Sequence, residues 1–272
     1  AHDGGLEERR LDARIRLATV LNDTSYWDEA QQTALAARGE AQRLGDLAQG
    51  ARAAQQLARA AGERGELELA RSLLDEAYQT ALACGELDLA AEVASDLGSV
   101  LEQLGDLEHA LDSLHSALER LELAARSAGA AEGTAAALRL AALLNRLGRV
   151  SLHVGSYDQA VSYLEIALEQ AERAGDKALA ARVLGNLGNA QALRGETGAA
   201  LRTLERALDT THQVGDRLAS AKLLHNMACL QLKNGTRDRA AALARRSVEL
   251  SAEIGWHEGE QIAAAFLAEL HS

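Results

Sequence analysis

The chain of 272 residues contains no proline, and aromatic residues make up only 3% of it. Its apolar residues, 47% of the total, are mainly alanine and leucine, which favour close-packed helices over β-sheets. Without proline, turns depend on glycine, which readily adopts the left-handed conformation that closes a helix. The composition therefore predicts an all-α protein.

Other absences limit the classes of function. The formal net charge of −12 argues against nonspecific binding of nucleic acid. Cys84 and Cys229 are interpreted as small buried hydrophobic residues. No apolar run approaches the ~18 residues that span a bilayer, and no signal peptide is visible. We therefore expect a cytoplasmic protein that neither binds nucleic acid nor inserts into a membrane.

A pattern of small residues recurs along most of the chain. It consists of glycine, alanine five residues later, leucine four residues after that, and alanine three residues further on. Complete or degenerate copies begin at the anchor positions Ser25, Gly65, Gly105, Gly155, Gly195 and Gly235. The anchors are 40, 40, 50, 40 and 40 residues apart. Such a period indicates stacked units, each too small to bury its apolar face alone.

A second glycine, usually followed by an acidic residue, keeps the same period. It occurs at Gly45, Gly85, Gly175, Gly215 and Gly255. The glycine is suited to closing one helix, and the acidic residue is suited to capping the next. Each repeat is therefore predicted to consist of a first helix, a turn at the anchor, a second helix and a closing turn.

Residues 1–272 are interpreted as one array of about six such units. The predicted repeats comprise residues 11–50, 51–90, 91–133, 134–180, 181–220 and 221–255. A helix over residues 257–271 is expected to cap the last apolar face. The spacing of 50 places an insertion near residues 119–140, flanked by two overlong helices. The insertion is either a tolerated loop extension or a prong for docking or dimerisation.

These residues resemble the tetratricopeptide repeat family, over about residues 11–271. The pattern is most similar to the 40-residue variety in Pins/LGN-type polarity adaptors, whose NLGN and GD motifs match residues 186–189 and 215–216. The resemblance implies a right-handed superhelical solenoid of antiparallel helix pairs, with the first helix of each pair lining a concave surface. Bacterial signalling proteins, including regulatory regions of kinases and transcription regulators, also use such arrays. The family's usual aromatic residues are mostly leucine or alanine here.

No catalytic constellation emerges from the sequence. The eight histidines have no metal-ligand spacing with cysteines or carboxylates. Every glycine of the repeat belongs to a helix turn, so no phosphate-binding loop is present. We therefore predict a protein that is not an enzyme and has no metal site and no cofactor.

A polar set in the last three repeats is the predicted peptide-binding site. In the register that the resemblance implies, its members face the concave surface: Asn145, Arg146, Arg149, His153, Arg182, Asn186, Asn189, Lys222, His225, Asn226 and Lys233. Five of them are positive, whereas the corresponding charged residues of the first three repeats comprise three positive and six negative ones. Carboxamides can bind a peptide backbone, and arginines can bind carboxylates. Asn186 and Asn226 share one repeat position and are the first candidates.

Asn186 and Asn189 are interpreted as ligand contacts that packing does not need. The alternative is that the polar set keeps the surface soluble or pairs neighbouring helices. The sequence thus predicts a noncatalytic scaffold whose groove binds a protein or peptide with an acidic segment. Two alternatives remain: a regulatory or sensor region of a larger bacterial signalling protein, or a module for homo-oligomerisation.

Overall fold

The computed structural model describes residues 2–127 and 133–271, and these contain thirteen α-helices and no β-strand. The helices are α1 (His2–Asp23), α2 (Trp27–Leu44), α3 (Leu47–Glu63), α4 (Leu67–Ala83), α5 (Leu87–Gln103), α6 (Leu107–Ser127), α7 (Thr134–Val154), α8 (Tyr157–Ala174), α9 (Lys177–Leu193), α10 (Thr197–Val214), α11 (Arg217–Lys233), α12 (Arg237–Glu253) and α13 (His257–His271). The prediction of an all-α protein built from helix pairs is confirmed.

The chain forms two compact units, residues 1–131 with α1 to α6 and residues 132–272 with α7 to α13. Within each unit a helix pair packs internally, and the second helix of one pair packs against the first helix of the next. In the second unit, α13 packs against α12 and α11. The interpretation of the whole chain as one array stays a prediction.

The turns follow the two glycine series. All ten glycines at the anchor and closing positions have φ between 71° and 89°, the left-handed region that glycine adopts without a steric penalty. Ser25 stands in the first anchor place and has φ of 63°. At three closing turns the aspartate caps the next helix, because Asp46, Asp176 and Asp216 each accept a hydrogen bond from a backbone N–H three residues later.

Close contact between the two helices of a pair depends on glycine in α5, α7 and α9. A Cβ on Gly188 would lie 2.6 Å from Cγ of Leu204, which is 1% exposed. Gly98 and Gly148 are in the same position against Leu114 and Leu164. A larger residue at these glycines therefore requires the facing leucine to move.

A buried carboxylate joins the first two helices by pairing with two partly exposed arginines. The side chain of Glu40 is 1% exposed. Its carboxylate accepts hydrogen bonds from Nε of Arg10 at 2.7 Å and from Nη1 of Arg14 at 2.5 Å. The hydrogen bond from Arg10 and the charges of Arg14, Arg10 and Arg43 lower the pKa of Glu40, although burial alone would raise it. Glu40 therefore holds α1 on α2 as a carboxylate.

The helices beside the predicted insertion are longer than most others. α6 and α7 have 21 residues each, against 17 or 18 in α2 to α5 and α8 to α12. The centre of the insertion, residues 128–132, lies outside the described residues. None of the helices described is long and apolar enough to cross a bilayer.

Candidate functional site

A groove of about 450 Å³ lies on the first helices of the second unit, across α7, α9 and α11. We call it the asparagine groove. Its lining residues are Arg149, Leu152, His153, Asn186, Asn189, Ala192, Leu193, Asn226, Cys229, Leu230 and Lys233. Because the three helices are successive first helices of the repeat, residues 40 positions apart in sequence repeat along the groove.

The groove brings together six of the eleven residues in the predicted peptide-binding set. These six are Arg149, His153, Asn186, Asn189, Asn226 and Lys233. The other five do not line it: Asn145, Arg146, Arg182, Lys222 and His225. Three consecutive repeats therefore contribute polar side chains to one surface, and the role of these side chains as ligand contacts stays a prediction.

The asparagines link neighbouring first helices. Asn186 donates from Nδ2 to Oδ1 of Asn145 at 2.9 Å, which joins α9 to α7. Asn226 donates from Nδ2 to Oδ1 of Asn189 at 3.2 Å, which joins α11 to α9. Both residues therefore pair neighbouring helices, which is the alternative that the sequence left open, and their role as ligand contacts stays a prediction.

These bonds use only part of each carboxamide. A carboxamide has two N–H donors and an oxygen that accepts two hydrogen bonds. Asn189 uses its oxygen toward Asn226, and Asn186 uses a donor toward Asn145. Both side chains are half-buried and line the groove. The bonds fix the orientation of the two carboxamides, and their remaining donors and acceptors suit a ligand.

Two residues of the predicted set contact the terminal helix region instead. Nζ of Lys222 lies 5.4 Å from the ring centroid of Trp256. The ring of His225 meets that of Phe266 edge-on, with centroids 5.6 Å apart. Burial lowers the pKa of His225, which favours the neutral imidazole at neutral pH. These two residues connect α11 to the chain beyond α12.

The floor of the groove is apolar, and the residue-based prediction missed it. Leu152, Ala192, Leu193, Cys229 and Leu230 line it, and Leu193 is 50% exposed. Except for Leu230, these residues lie at repeat positions that the predicted register already places on the concave surface. The signal was present, but the prediction selected only polar residues at those positions.

The two cysteines differ in their surroundings. Cys229 is half-buried in the groove, where burial raises the pKa of its thiol and so favours the neutral form. Cys84 is exposed, so the interpretation of it as a buried hydrophobic residue was wrong. Cys84 follows the last residue of α4 and precedes the closing glycine of its repeat.

The groove lining is basic. Arg149 and Lys233 are exposed on it, and none of its described lining residues is aspartate or glutamate. In the described part of the chain, no three His, Cys, Asp or Glu side chains are grouped to hold a metal ion. The groove therefore combines basic, carboxamide and apolar side chains on one surface.

Residues 138–213 match the model of the tetratricopeptide repeat family. A structure of BtubC (BKLC) from P. vanneervenii is 21% identical over 84% of this chain and 92% of its own, with a TM-score of 0.70. A Rap protein complexed with Competence and Sporulation Factor is 14% identical over 95% and 74%, with a TM-score of 0.64. YrrB, described as a TPR protein with an unusual peptide-binding site, is 19% identical over 78% and 91%, with a TM-score of 0.50.

No curated protein matches this chain. The family match covers part of the second unit, and the structural similarity shows that the chain has the fold of a tetratricopeptide repeat protein. This fold supports a role as a scaffold for protein interactions in general, and the family is typically noncatalytic. The narrower similarity to Pins/LGN-type adaptors stays a prediction.

Proposed function

We propose that the chain is a noncatalytic interaction module that binds an acidic peptide segment of a partner protein in the asparagine groove. The observation that supports this function is the composition of the groove. Three successive repeats supply oriented carboxamides and basic side chains around an apolar floor, and no carboxylate is among the described lining residues.

Each part of the groove suits one part of such a ligand. The carboxamides of Asn186 and Asn189 bind the peptide backbone, which they recognise through donors and acceptors without reading side chains. Arg149 and Lys233 bind carboxylates of the segment. The floor at Leu193 accepts an apolar side chain. Since an exposed charge pair contributes only ~0.2–1 kcal/mol, affinity requires all three kinds of contact together.

Fluorescence anisotropy tests the proposal with two labelled peptides of equal length. One alternates glutamate and leucine, and the other has lysine in place of each glutamate. The variant is Arg149→Glu with Lys233→Glu. Its matched control is Arg202→Glu with Arg246→Glu, because both arginines are exposed on second helices, outside the groove lining.

We expect the wild-type chain and the control to bind the glutamate peptide more tightly than the lysine peptide. We expect the groove variant to bind the glutamate peptide at least about tenfold more weakly, since two attractive charges become repulsive. Equal binding of both peptides to wild type, or equal affinity of the groove variant and the control, contradicts the proposal. Thermal melting of each variant checks that it remains folded.

The partner segment can belong to another protein or to a longer polypeptide that contains this chain. The second case is the regulatory or sensor region of a bacterial signalling protein. It stays a prediction, as do the cytoplasmic location and the bacterial source.

A further inference from the structure

An apolar stripe on α1 is uncovered. Leu6, Leu17 and Val20 are 68%, 51% and 56% exposed, and Ala13 is exposed between them. Because residues 6, 13, 17 and 20 are seven, four and three positions apart, they share one side of the helix. We call these four residues the α1 stripe. It lies in the first unit, whereas the asparagine groove lies in the second.

The same repeat positions are buried in the five later first helices, including α7, the first helix of the second unit, where Leu147 and Val150 are 0% exposed. In the other four, the equivalents of Leu17 are 4–7% exposed: Leu57, Leu97, Leu187 and Met227. The equivalents of Val20 are 0–7% exposed: Ala60, Val100, Ala190 and Leu230. In these four, the first helix packs against the second helix of the preceding pair. The α1 stripe thus has the composition of a repeat–repeat interface. Among the described residues of its unit, no other helix covers it.

The second helix of this pair adds another apolar residue. Leu35 of α2 is 59% exposed. Its equivalents in the other five repeats are all polar: Asp75, His115, Glu165, Glu205 and Arg245. Leu35 is thus a large, exposed apolar side chain at a position where every other repeat has a polar one. This difference indicates an interaction surface specific to the first pair.

The face of α1 and α2 also contains a depression of about 430 Å³. Small side chains, Ala13, Thr33 and Ala36, form part of its lining. Protruding side chains and a depression therefore occur on one patch. An interface between two identical copies related by a two-fold axis needs this combination, because each copy presents the same patch to the other.

The spacing within the α1 stripe is itself symmetric. Leu6 and Val20 lie seven residues to either side of Ala13. Suppose that α1 pairs with an antiparallel α1 of a second copy about a two-fold axis at Ala13. This arrangement places Leu6 opposite the second copy's Val20. It places Ala13 opposite the same residue of that copy, where small side chains permit close approach. Leu17 then packs on the aliphatic part of the second copy's Arg9.

Three arginines beside the stripe are paired within one copy. Arg10 and Arg14 bind Glu40, and Arg16 binds Asp12 at 2.9 Å. Burying the edge of the stripe against a second copy therefore leaves these arginines paired, which limits the cost of desolvating them.

We propose that the face of α1 and α2 joins two copies of the chain in an antiparallel, two-fold symmetric dimer. α1 has 22 residues and α2 has 18. Two helices of that length side by side offer roughly 500–600 Å² per copy, less than the ~800 Å² per partner of a standard interface. The proposed interface is therefore at the small end of specific interfaces, and we expect dimerisation to depend on protein concentration.

Sedimentation velocity of the full chain from about 1 to 200 μM tests the dimer. The variant is Leu17→Glu with Val20→Glu, which changes two exposed side chains and so leaves the fold intact. Ile166→Glu, at an exposed apolar residue of α8 that is 45% exposed, is the control. We expect wild type and control to dimerise and the variant to dimerise at least about tenfold more weakly. A monomeric wild type at 200 μM, or a variant that dimerises like wild type, overturns the proposal.

Cysteine cross-linking tests the two-fold axis. In a chain with Cys84→Ser and Cys229→Ser, Ala13→Cys places one thiol opposite its counterpart in the dimer. We expect oxidation to give a disulfide-linked dimer with Ala13→Cys and not with Ile166→Cys. Equal cross-linking at both positions, or none at Ala13→Cys, overturns the antiparallel arrangement. The variant Leu17→Glu with Val20→Glu keeps every lining residue of the asparagine groove, so its peptide binding is measured independently and does not depend on this result.

Discussion

The two units share one kind of helix packing and differ in the chemistry of their first helices. In the first unit, arginines of first helices bind carboxylates of neighbouring elements. Arg52 binds Glu86 at 3.1 Å, and Arg59 binds Asp23 at 3.4 Å. In the second unit, the asparagine groove has basic residues and no described acidic lining residue. The first unit thus pairs these basic side chains with carboxylates, whereas the lining of the asparagine groove combines basic side chains with carboxamides.

The hydrogen bond between neighbouring first helices shows the difference between the units at one pair of repeat positions. Gln55 donates to Asp96 at 2.8 Å and joins α3 to α5. In the second unit, Asn186 donates to Asn145 at the same two repeat positions. The bond is retained, but the carboxylate is replaced by a neutral carboxamide. A link between first helices is therefore common to both units, while its charge is specific to one.

The largest expected effect tests the packing that the units share. We expect Gly98→Val and Gly188→Val to lower the free energy of unfolding of their own units by about 3 kcal/mol each, because the new side chain collides with Leu114 or Leu204. Gly39→Val is the control, because a Cβ there meets no atom within 4 Å. Single-tryptophan variants that retain Trp27 or Trp256 report on the first or the second unit during urea unfolding.

Unequal losses of unfolding free energy for Gly98→Val and Gly188→Val would contradict the shared packing, because the helix pairs of the two units would then pack differently. Leu204→Ala combined with Gly188→Val is expected to cost less than the sum of the two single changes, since it makes room for the valine. Additive costs would contradict the packing argument.

An intermediate effect tests the dependence of the first unit on ion pairs. We expect Glu40→Gln to lower its unfolding free energy by about 2 kcal/mol at pH 7, because a buried carboxylate partner of two arginines is lost. The folded-state pKa of Glu40 lies below its ordinary value of 4.5. The carboxylate therefore stabilises the unit fully above pH 4.5, and this stabilisation disappears as the pH falls through the folded-state pKa.

The measurement is unfolding of the first unit at several pH values, with hydrogen exchange in α1 and α2. The control is Glu76→Gln, because Glu76 pairs with Arg38 at 2.6 Å but is 58% exposed, and such pairs contribute little. A difference between wild type and Glu40→Gln that persists unchanged in acid would contradict the role assigned to the charge.

The smallest expected effect compares the two equivalent hydrogen bonds. Double-mutant cycles with alanine are expected to give a coupling energy of about 1 kcal/mol for Asn145 with Asn186, and about 1.5 kcal/mol for Gln55 with Asp96. The second value is larger because hydrogen bonds to charged groups are stronger. A coupling near zero for the asparagine pair would mean that the bond does not stabilise the fold and that the carboxamides are held only by packing.

Much of the fold was predictable because its signals are local and repeated. Glycines such as Gly188 and Gly195 occur where close approach or a left-handed turn excludes other residues, so their spacing predicted both the helix pairs and the turns. The site was predictable only in part. The register placed Asn189 and Lys233 on one surface, but it did not separate them from Arg182 or Lys222, which do not line the groove. Nor did it predict the bond of Asn186 to Asn145, since that partner is 41 residues away.

The amino-acid sequence by itself determined the period, the helix boundaries and the positive character of the last three repeats, because each depends on residue type and spacing. Tertiary structure alone decided which polar groups are bonded within the chain, as Asn186 is to Asn145, and which of them line one groove. It also decided that Leu17 and Val20 are exposed although their equivalents are buried. Burial depends on which helix lies alongside, and a repeat position by itself does not specify whether that helix is present.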